Sequence, residues 1–509
     1  MVFLLYPLGL LASVGFLALW FLYQERGGLE RLVKPLFFIS LLVYGAGLFL
    51  GSADWADKGS ILFRDMIIMS VVPAGLSLLK NQNRLFLLLL AGMLIPLFFF
   101  ARKSAFTLNE PSTMHEGEWE LLVDLQSDFE AKDLADILEE YSLTYEPAFQ
   151  VGSARGNDLR EVLAIEIPQH LEAQEAEIIA ALQKHPAVEW AEQNERMQLS
   201  PDISSWTPFR PERGPINDPE LEKQWAREVM QIKKVHKLLN SPVSKPQKTA
   251  LIAILDTGID GQHEDLKKRY VSMNKKYDTD PVGHGTHCAG IAAAISNNKI
   301  GIASLTPDKG RVKITSIKVL SGFGGGTQRG IIQGMLEAAD AGADVISMSL
   351  GGYSTDKRQQ AYQEAVAYAR QKGAIVVAAA GNENQDARKV TPANAPGLIT
   401  VTAVDTVLGR ASFANWVTDL DRPLSAPGVA IYSTTPNNTY KSYNGTSMAA
   451  PQVAGLLGIM KSIWPEMDTD QAYEILKNTG RKSAQPKETG PLIQPYEALL
   501  QTIEQRPNS

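Results

Sequence analysis

The sequence predicts an α/β protein with a parallel sheet covered by helices on both faces, preceded by a small α+β module and about four transmembrane helices. Three observations predict this organisation. Four apolar stretches occur before residue 103, and short strand-like and helix-like patterns alternate between residues 117 and 199. After residue 217, apolar runs such as LIAILD and AIVVAAAG alternate with helix-like stretches. Strands that are buried on both faces of a parallel sheet have this composition.

The four apolar stretches predict a membrane domain over residues 1–103. A transmembrane helix needs about 20 mostly apolar residues. The first stretch has no basic lead and no small-residue cleavage site, so we interpret it as an anchor and not as a signal peptide. The stretches are Val2–Tyr23, Pro35–Gly51, Ile61–Leu79 and Leu85–Ala101.

Lysine and arginine in the short loops predict the orientation of this domain, because cytoplasmic loops carry an excess of both residues. The loop after the first stretch contains Arg26, Arg31 and Lys34, and the loop before the fourth contains Lys80 and Arg84. Both loops would be cytoplasmic. The sequence therefore predicts a multi-pass protein of the cell membrane whose remaining residues are extracytoplasmic.

Residues 117–199 predict a separate α+β module. EWELLVDLQ is typical of a strand, DFEAKDLADILEEY of a helix, and TYEPAFQV and EVLAIEIP of two more strands. AQEAEIIAALQKHP then indicates a second helix and VEWAEQNE a last strand. The β-α-β-β-α-β order is a ferredoxin-like pattern, and the alternative is an ordinary linker domain. Residues 200–216, rich in proline and without periodicity, indicate an exposed linker.

Four motifs within residues 217–505 carry the chemistry: ILDTGID, GHGTHCAG, AAAGNEN and NGTSMAAP. They contain Asp256, His284, Asn382 and Ser447. A serine hydroxyl needs a base to become a nucleophile, an imidazole supplies that base near neutral pH, and a carboxylate orients the imidazole. The asparagine amide would stabilise the oxyanion. Each residue alone is more often a helix cap or a turn residue, but the four motifs together indicate a catalytic site.

These motifs and their order resemble the subtilisin-type serine proteases, and within them the thermitase-like branch, over residues 217–505. The resemblance implies a subtilisin-like fold and a serine endopeptidase that cleaves proteins or peptides through an acyl-enzyme. It also implies that residues 117–199 are an inhibitory propeptide of a zymogen. We expect self-cleavage near Met197 to Ser200. The residues implied in substrate binding are Gly324, Gly325, Gly326, Ser349, Leu350, Gly351, Ala379, Ala380 and Gly381.

The same resemblance implies a structural calcium site, since the stretch ISNNKIGI and two aspartates match the family's ligand positions. Ca²⁺ prefers clustered oxygen ligands from carboxylates, amides and carbonyls. The alternative is a set of ordinary caps around a polar turn. The implied ligands are the side chains of Asp218, Asp265 and Asn298 and the carbonyls of Ile295, Ile300 and Ile302.

Charge and cysteine content exclude other classes. The net charge of −7 gives no basic surface for nucleic acid. Cys288 is the only cysteine, so no intrachain disulfide exists, and its spacing of four from His284 predicts a buried residue behind the histidine.

Two alternative functions remain open at the level of sequence. The protease fold could be a catalytically silent scaffold whose membrane domain senses or binds a partner. The membrane domain could also have its own role in transport or signalling, which the polar residues Arg64 and Asp65 would favour.

Overall fold

The structure is a computed structural model of the 509-residue chain. It describes residues 2–23, 27–49, 119–151, 158–199, 202–203, 216–307, 310–322, 324–354 and 360–507, with a few further positions between 61 and 94. The chain divides into two compact units, Met1–Thr113 and Met114–Ser509.

Two long helices, α1 (Val2–Tyr23) and α2 (Gly27–Phe49), form most of the described part of the first unit. A buried carboxylate, Asp65, accepts hydrogen bonds from the hydroxyls of Tyr6 (2.5 Å) and Tyr44 (3.1 Å). It also pairs with the guanidinium of Arg64 at 2.7 Å. The polar groups of this cluster are therefore partnered by one another.

In the part of the first unit that the structure describes, no helix combines the length and apolar character needed to cross a membrane. The prediction of four transmembrane helices therefore has no support in these residues. In α2, Glu30, Arg31 and Lys34 occupy the first two turns and shorten the apolar part. Most of the third and fourth predicted stretches lie outside the described residues.

The second unit begins with a four-stranded antiparallel sheet in the order β2-β3-β1-β4. Its strands are β1 (Leu121–Leu125), β2 (Thr144–Pro147), β3 (Val162–Glu166) and β4 (Val188–Gln193), with helix α3 (Ala135–Glu140) after β1 and helix α4 (Glu175–Leu182) after β3. The chain order is therefore β-α-β-β-α-β.

Strand β1 is buried on both faces because its side chains alternate between two cores. Leu121 and Val123 pack with the module's own helices, whereas Leu122 packs in a core that includes Ile331 and Ala365 of the following domain. An antiparallel sheet with a free second face would instead expose every other side chain to water. The module is therefore bound by one whole face to the rest of the second unit.

The main sheet of the second unit has six parallel strands in the order β15-β14-β12-β10-β7-β8, which confirms the predicted parallel α/β sheet. Its strands are β7 (Ala250–Asp256), β8 (Val312–Lys318), β10 (Val345–Met348), β12 (Ile375–Ala379), β14 (Ile399–Val404) and β15 (Pro423–Pro427).

Helices cover both faces of this sheet. On β7, Ile252 and Ile254 pack in the core that contains the long helix Thr446–Ile463, and Ala253 and Leu255 pack in the core that contains helix Gln328–Asp340. The helices of the second unit after α4 are α5 (Ala226–Val229), α6 (Ile232–Leu239), α7 (His284–Ala293), α8 (Gln328–Asp340), α9 (Gln360–Gln371), α10 (Thr446–Ile463), α11 (Thr469–Thr479), α12 (Pro486–Thr489) and α13 (Pro495–Gln505).

Short strands at the edges complete the described architecture. β5 (Arg196–Gln198) pairs with β9 (Gly325–Thr327), β11 (Gly352–Tyr353) pairs with β13 (Val390–Thr391), and the hairpin of β16 (Ile431–Thr435) and β17 (Thr439–Asn444) pairs with β6 (Asp202–Ile203).

Candidate active site

An aspartate and a histidine form a buried ion pair at the carboxyl edge of the main sheet. Asp256 is the last residue of β7 and His284 is the first residue of α7. The imidazole Nδ1 lies 2.8 and 2.9 Å from the two carboxylate oxygens. Neither side chain has more than a trace of solvent exposure. The carboxylate accepts a hydrogen bond from the protonated Nδ1, which leaves Nε2 as the nitrogen that is free to act as a base.

The carboxylate also changes the proton affinity of the imidazole. Burial is the largest single influence and works against the charged imidazolium. The charge and hydrogen bond of Asp256, together with Cys288, outweigh it and hold the pKa of His284 well above its ordinary value. A histidine in this setting can act as a general base toward a neighbouring hydroxyl and then as a general acid toward the leaving group.

Glycine at position 285 allows helix α7 to approach the end of β7. A Cβ atom there would lie 2.1 Å from the carbonyl oxygen of Gly258 and 3.1 Å from Cβ of Asp256. Any larger residue would push the helix start away from the strand. The glycine is therefore needed for the contact between Asp256 and His284.

Ser447 lies in the first turn of α10 and close to the end of β10. Its hydroxyl donates to the carbonyl of Ser349 (3.2 Å), and the hydroxyl of Ser349 donates to the carbonyl of Ser447 (2.8 Å). Among the hydrogen bonds of the described residues, none joins this hydroxyl to His284. The thiol of Cys288 lies 3.9 Å from Nδ1 of His284 and donates to the carbonyl of Ser447 at 3.4 Å. The thiol therefore contacts both the imidazole and the backbone of the serine.

The amide of Asn382 is oriented by Thr446, a residue that the sequence analysis did not single out. Oδ1 of Asn382 accepts hydrogen bonds from the N–H (2.9 Å) and the hydroxyl (3.0 Å) of Thr446. The hydroxyl of Thr446 in turn accepts from the N–H of Gly381 (3.1 Å). With its oxygen held in this way, the amide presents Nδ2 toward Gly445, next to the serine. Its N–H₂ group can donate a hydrogen bond to the negatively charged oxygen that develops on a substrate beside Ser447.

Replacement of Asn382 by alanine is expected to lower kcat by about 10²–10³-fold with little change in KM, because the donor is needed mainly once negative charge develops on the carbonyl oxygen. The magnitude is that of the oxyanion donor in subtilisin. Steady-state kinetics on a chromogenic peptide measure it, with Asn240→Ala, at the exposed end of α6, as the control. A wild-type kcat in Asn382→Ala would contradict this role.

The predicted glycine edge is paired with a strand of the chain itself. Gly325 and Gly326 pair antiparallel with Gln198 and Met197, and the carbonyl of Gly324 accepts from the N–H of Leu199 (2.9 Å). A Cβ at residue 326 would lie 2.6 Å from the carbonyl oxygen of Val319, so a side chain there would displace the strand that forms this edge. The arrangement is that of an extended peptide bound by β-augmentation.

The other predicted substrate-binding residues lie at the carboxyl ends of β10 and β12. Ser349 contacts Ser447 directly, while Leu350 is buried in the core and Gly351 lies against the carbonyl of Thr391. Ala379 and Ala380 are buried, and Gly381 has a φ of +96° next to the Asn382 amide. The structure therefore brings Ser349 and Gly381 to the catalytic residues and gives Leu350 and Ala380 packing roles.

The predicted calcium ligands gather around two buried carboxylates. Oδ1 and Oδ2 of Asp218 accept the N–H groups of Asn298 (3.0 Å) and Asn297 (2.7 Å). Asp265 accepts from Nδ2 of Asn298 (2.6 Å). Three further hydrogen bonds hold the isoleucines in place: the N–H of Ile302 donates to the Asp265 carboxylate (2.8 Å), the N–H of Ile295 to the Asp265 carbonyl (3.0 Å), and the N–H of Ile300 to Oδ1 of Asn298 (2.7 Å).

The two features of this edge of the sheet define its chemistry. A serine and an imidazole contact the same thiol, and a carboxylate holds Nδ1 of the imidazole. These are the groups of acyl transfer. An extended strand lies along a glycine edge beside it, which is how a protein holds a peptide. Together they define the class of the serine endopeptidases.

Comparison with known proteins agrees with this class. A family model described as the subtilase family (Peptidase_S8) matches residues 247–492. Thermitase of Thermoactinomyces vulgaris is 44% identical over 42% of this chain and 75% of its own length. Subtilisin DY of Bacillus licheniformis is 42% identical over 45% and 82%, and a thermophilic serine proteinase of Bacillus sp. (strain AK1) is 34% identical over 70% and 82%. The chain therefore belongs to the subtilase family and is a serine endopeptidase.

Proposed function

We propose that this subtilase hydrolyses peptide bonds of protein substrates through an acyl-enzyme on Ser447, and that it is made as a zymogen in which residues 117–199 cover the substrate edge. The observation that carries the proposal is the pairing of β5 with β9. A segment that precedes the protease domain occupies the backbone edge that a substrate would need.

The catalytic steps follow from the contacts of the site. Ser447 attacks the carbonyl carbon of the peptide while Nε2 of His284 takes its proton, and this requires the hydroxyl to turn from the Ser349 carbonyl toward the imidazole. The amide Nδ2 of Asn382 stabilises the oxyanion. His284 returns the proton to the leaving amine, and water then releases the acyl group by the same route.

Contacts between the segment 117–199 and helices α8 and α9 support its inhibitory role. The Glu192 carboxylate accepts from Nε2 of Gln328 (2.6 Å) and from the N–H of Gln360 (3.1 Å), at the starts of the two helices. Burial raises the pKa of Glu192 to about 8, and these two hydrogen bonds act against that shift. Arg329 of α8 pairs with Glu146 (2.7 Å). The segment is therefore anchored at two helix starts as well as along the glycine edge.

The match to the thermophilic serine proteinase supports the presence, in both proteins, of a segment before the protease domain. That alignment covers 70% of the chain, which is more than the residues from 217 onward, so it extends into the segment before them. The protein thus shares with that relative some of the sequence that precedes the protease domain.

Self-processing is tested with the full-length chain carrying a C-terminal tag. We expect an immunoblot to show a shortened species for the wild type and only the full-length chain for Ser447→Ala. A fluorophosphonate probe should label the shortened wild-type species. The same shortened species in both proteins would contradict self-processing, and an unlabelled wild type would contradict the catalytic proposal itself.

We also propose that Asp218, Asp265 and Asn298 hold a structural Ca²⁺ together with backbone carbonyls of residues 295–302. Both carboxylates are buried, and among the ion pairs of the described residues neither has a basic partner. Burial raises the pKa of Asp265 to about 7, and the nearby Asp218 adds to this shift. Two buried acids among amide and carbonyl oxygens fit a hard cation, which would neutralise their charge.

Calcium removal is expected to lower the melting temperature of the wild type, because a ligand that binds only the folded chain stabilises it by about 2.7 kcal/mol at 100 times its Kd. In Asp265→Asn the melting temperature should no longer depend on Ca²⁺. Differential scanning calorimetry with chelator and with added Ca²⁺ measures this, and Asp405→Asn, in a remote turn, is the matched control. A wild-type melting temperature that does not depend on Ca²⁺ would contradict the proposal of a calcium site.

We further propose that the N-terminal unit attaches the protein to the cell membrane, with the protease domain extracytoplasmic. Support comes from large apolar side chains that α2 exposes, which would be unfavourable in water, and from the lysine and arginine residues of the loops. Cell fractionation with an alkaline wash tests this, with a chain lacking residues 1–103 as the control. Recovery of the full-length chain in the wash would contradict it. The exposed side chains of α2 are Leu29, Leu32, Leu36, Phe38, Ile39, Leu41 and Leu42.

A further inference from the structure

A second carboxylate, Asp280, lies behind the Asp256–His284 pair and takes no part in the steps described above. It is only 5% exposed. Its two oxygens accept five hydrogen bonds, all from within the catalytic edge. The donors are the N–H groups of Val282 (3.1 Å), Gly283 (2.8 Å) and Thr286 (2.8 Å) and the hydroxyls of Thr257 (2.8 Å) and Thr286 (2.7 Å).

These contacts fix the position of the catalytic histidine. The N–H donors of residues 282, 283 and 286 surround His284 in the chain and belong to the turn that begins helix α7. The residues between these donors cannot move without breaking hydrogen bonds to a buried carboxylate. Loss of a buried hydrogen bond costs more free energy than loss of a solvent-exposed one. Asp280 thereby holds the backbone from which the imidazole projects.

The same carboxylate reaches the catalytic aspartate through one hydroxyl. The Thr257 hydroxyl lies 2.8 Å from Oδ1 of Asp280 and 3.2 Å from Oδ1 of Asp256, and it accepts the N–H of Gly285 at 3.1 Å. A single side chain therefore connects both carboxylates to the start of α7. The orientation of the Asp256 carboxylate and the position of the imidazole are coupled through this connection.

Charge acts in the same direction as geometry. Burial raises the pKa of Asp280, and the hydrogen bonds from Thr286 and Gly283 act against that shift. Three of the five donors are backbone N–H groups, which the deprotonated carboxylate satisfies. The ionisable groups that face Asp280 are Asp256 on β7 and Tyr443 on β17, with His284 beyond Asp256. A second negative charge behind the pair favours the imidazolium that forms during proton transfer.

We propose that Asp280 is a positioning residue for the hydrolysis reaction, which acts through Thr257 and the start of α7 to hold Asp256 and His284 in the geometry for proton transfer. The inference rests on the proposed function, since it concerns the same catalytic pair.

The test is Asp280→Asn in the full-length chain, with active sites counted by fluorophosphonate labelling. The asparagine amide has an N–H₂ group in place of one carboxylate oxygen. The donors that faced that oxygen then lose their acceptor, so at least one set of hydrogen bonds breaks. A displacement of about 1 Å can lower the rate about 10²-fold. We expect kcat per active site to fall about 10–100-fold with KM changed less than about threefold. The acid limb of kcat/KM should move to lower pH, because a negative charge near His284 is lost.

A second pair of variants separates positioning from folding. Thr257→Val removes the connecting hydroxyl while keeping the shape of the side chain, and Thr257→Ser restores the hydroxyl. We expect Thr257→Val to lower kcat in the same way and Thr257→Ser to retain most of it. Asp278→Asn is the matched control and should behave as the wild type, since among the described residues its carboxylate accepts from Tyr270 and Ser272 in the same loop.

A wild-type kcat and pH profile in Asp280→Asn would overturn the inference while the wild-type activity upheld the proposed function. A loss of active sites with unchanged kcat per site would also overturn it, because Asp280 would then serve folding alone. If Asp280→Asn does not fold, equal kcat values in Thr257→Val and Thr257→Ser would overturn it. An inactive wild type that no probe labels would instead overturn the proposed function.

Discussion

Replacement of Ser447 by alanine is expected to lower kcat for peptide hydrolysis by about 10⁶-fold, the loss that removal of the triad serine causes in subtilisin, a member of the same family. Without the hydroxyl there is no atom to carry the acyl group, and the imidazole of His284 has no nucleophile to activate. The residual rate would come from binding and from the Asn382 amide alone.

Single-turnover kinetics with a chromogenic peptide and covalent labelling with a fluorophosphonate measure this effect together. The matched control is Ser272→Ala, whose hydroxyl donates to Asp278 (2.8 Å) away from the catalytic pair and should be dispensable. The two proteins should differ in rate and in labelling while sharing a melting temperature. Substantial hydrolysis by purified Ser447→Ala would show that another residue is the nucleophile.

Replacement of Asp256 by asparagine is expected to lower kcat by about 10⁴-fold, as the same change does in other Asp–His–Ser enzymes. The N–H of Thr257 lies 2.8 Å from Oδ1 of Asp256 and keeps the amide oxygen at that position. The amide N–H₂ group then takes the place of Oδ2 and opposes the proton on Nδ1 of His284. The imidazole is pushed toward the tautomer that has no free base at Nε2.

The pH dependence provides a second measurement of the same change. The enzyme is active when His284 is neutral, so kcat/KM falls as the pH decreases through the pKa of His284. Because the Asp256 carboxylate raises that pKa, its loss should move the acid limb to lower pH. An unchanged acid limb in Asp256→Asn would show that the carboxylate does not set the proton affinity of the imidazole.

The local part of the catalytic edge could be predicted from the sequence. The apolar run LIAILD predicted a buried strand that ends at Asp256, and β7 ends there. The small residues after His284 predicted a close helix start, and α7 begins at that residue. Each of these features depends on neighbours within a few positions in the chain, which is the range over which strand patterning and capping act.

The contacts made across the fold could not be predicted in the same way. Thr446 stands one residue before Ser447 in a recognised motif, yet its role depends on the Asn382 amide 64 positions away. Asp280 resembles an ordinary turn residue until its carboxylate is placed between β7 and the start of α7. The hydroxyl of Ser447 turns to the Ser349 carbonyl, a contact over 98 positions that no local pattern encodes.

The prediction for the N-terminal region was based on composition alone. Apolar composition predicted four membrane-spanning helices over residues 1–103, but in the described residues no helix meets the requirement. Composition measures how unfavourable a segment is in water, and a buried interhelical face has the same composition as a lipid-facing one. Tyr6, Leu10 and Val14 of α1 are fully buried within the first unit, a placement that hydropathy alone does not distinguish from exposure to lipid.

The sequence by itself determined the parallel α/β class, the chemical groups of the site and the elements that carry them, because periodicity and local motifs encode strands, helix starts and residue types. Only the tertiary structure decided which residues of the chain pair with the glycine edge, that Asp280 contacts the start of α7 and that Thr446 contacts Asn382. These arrangements depend on which surfaces meet when distant segments pack, and side-chain directions at such contacts are set by the packed fold and not by neighbours in the chain.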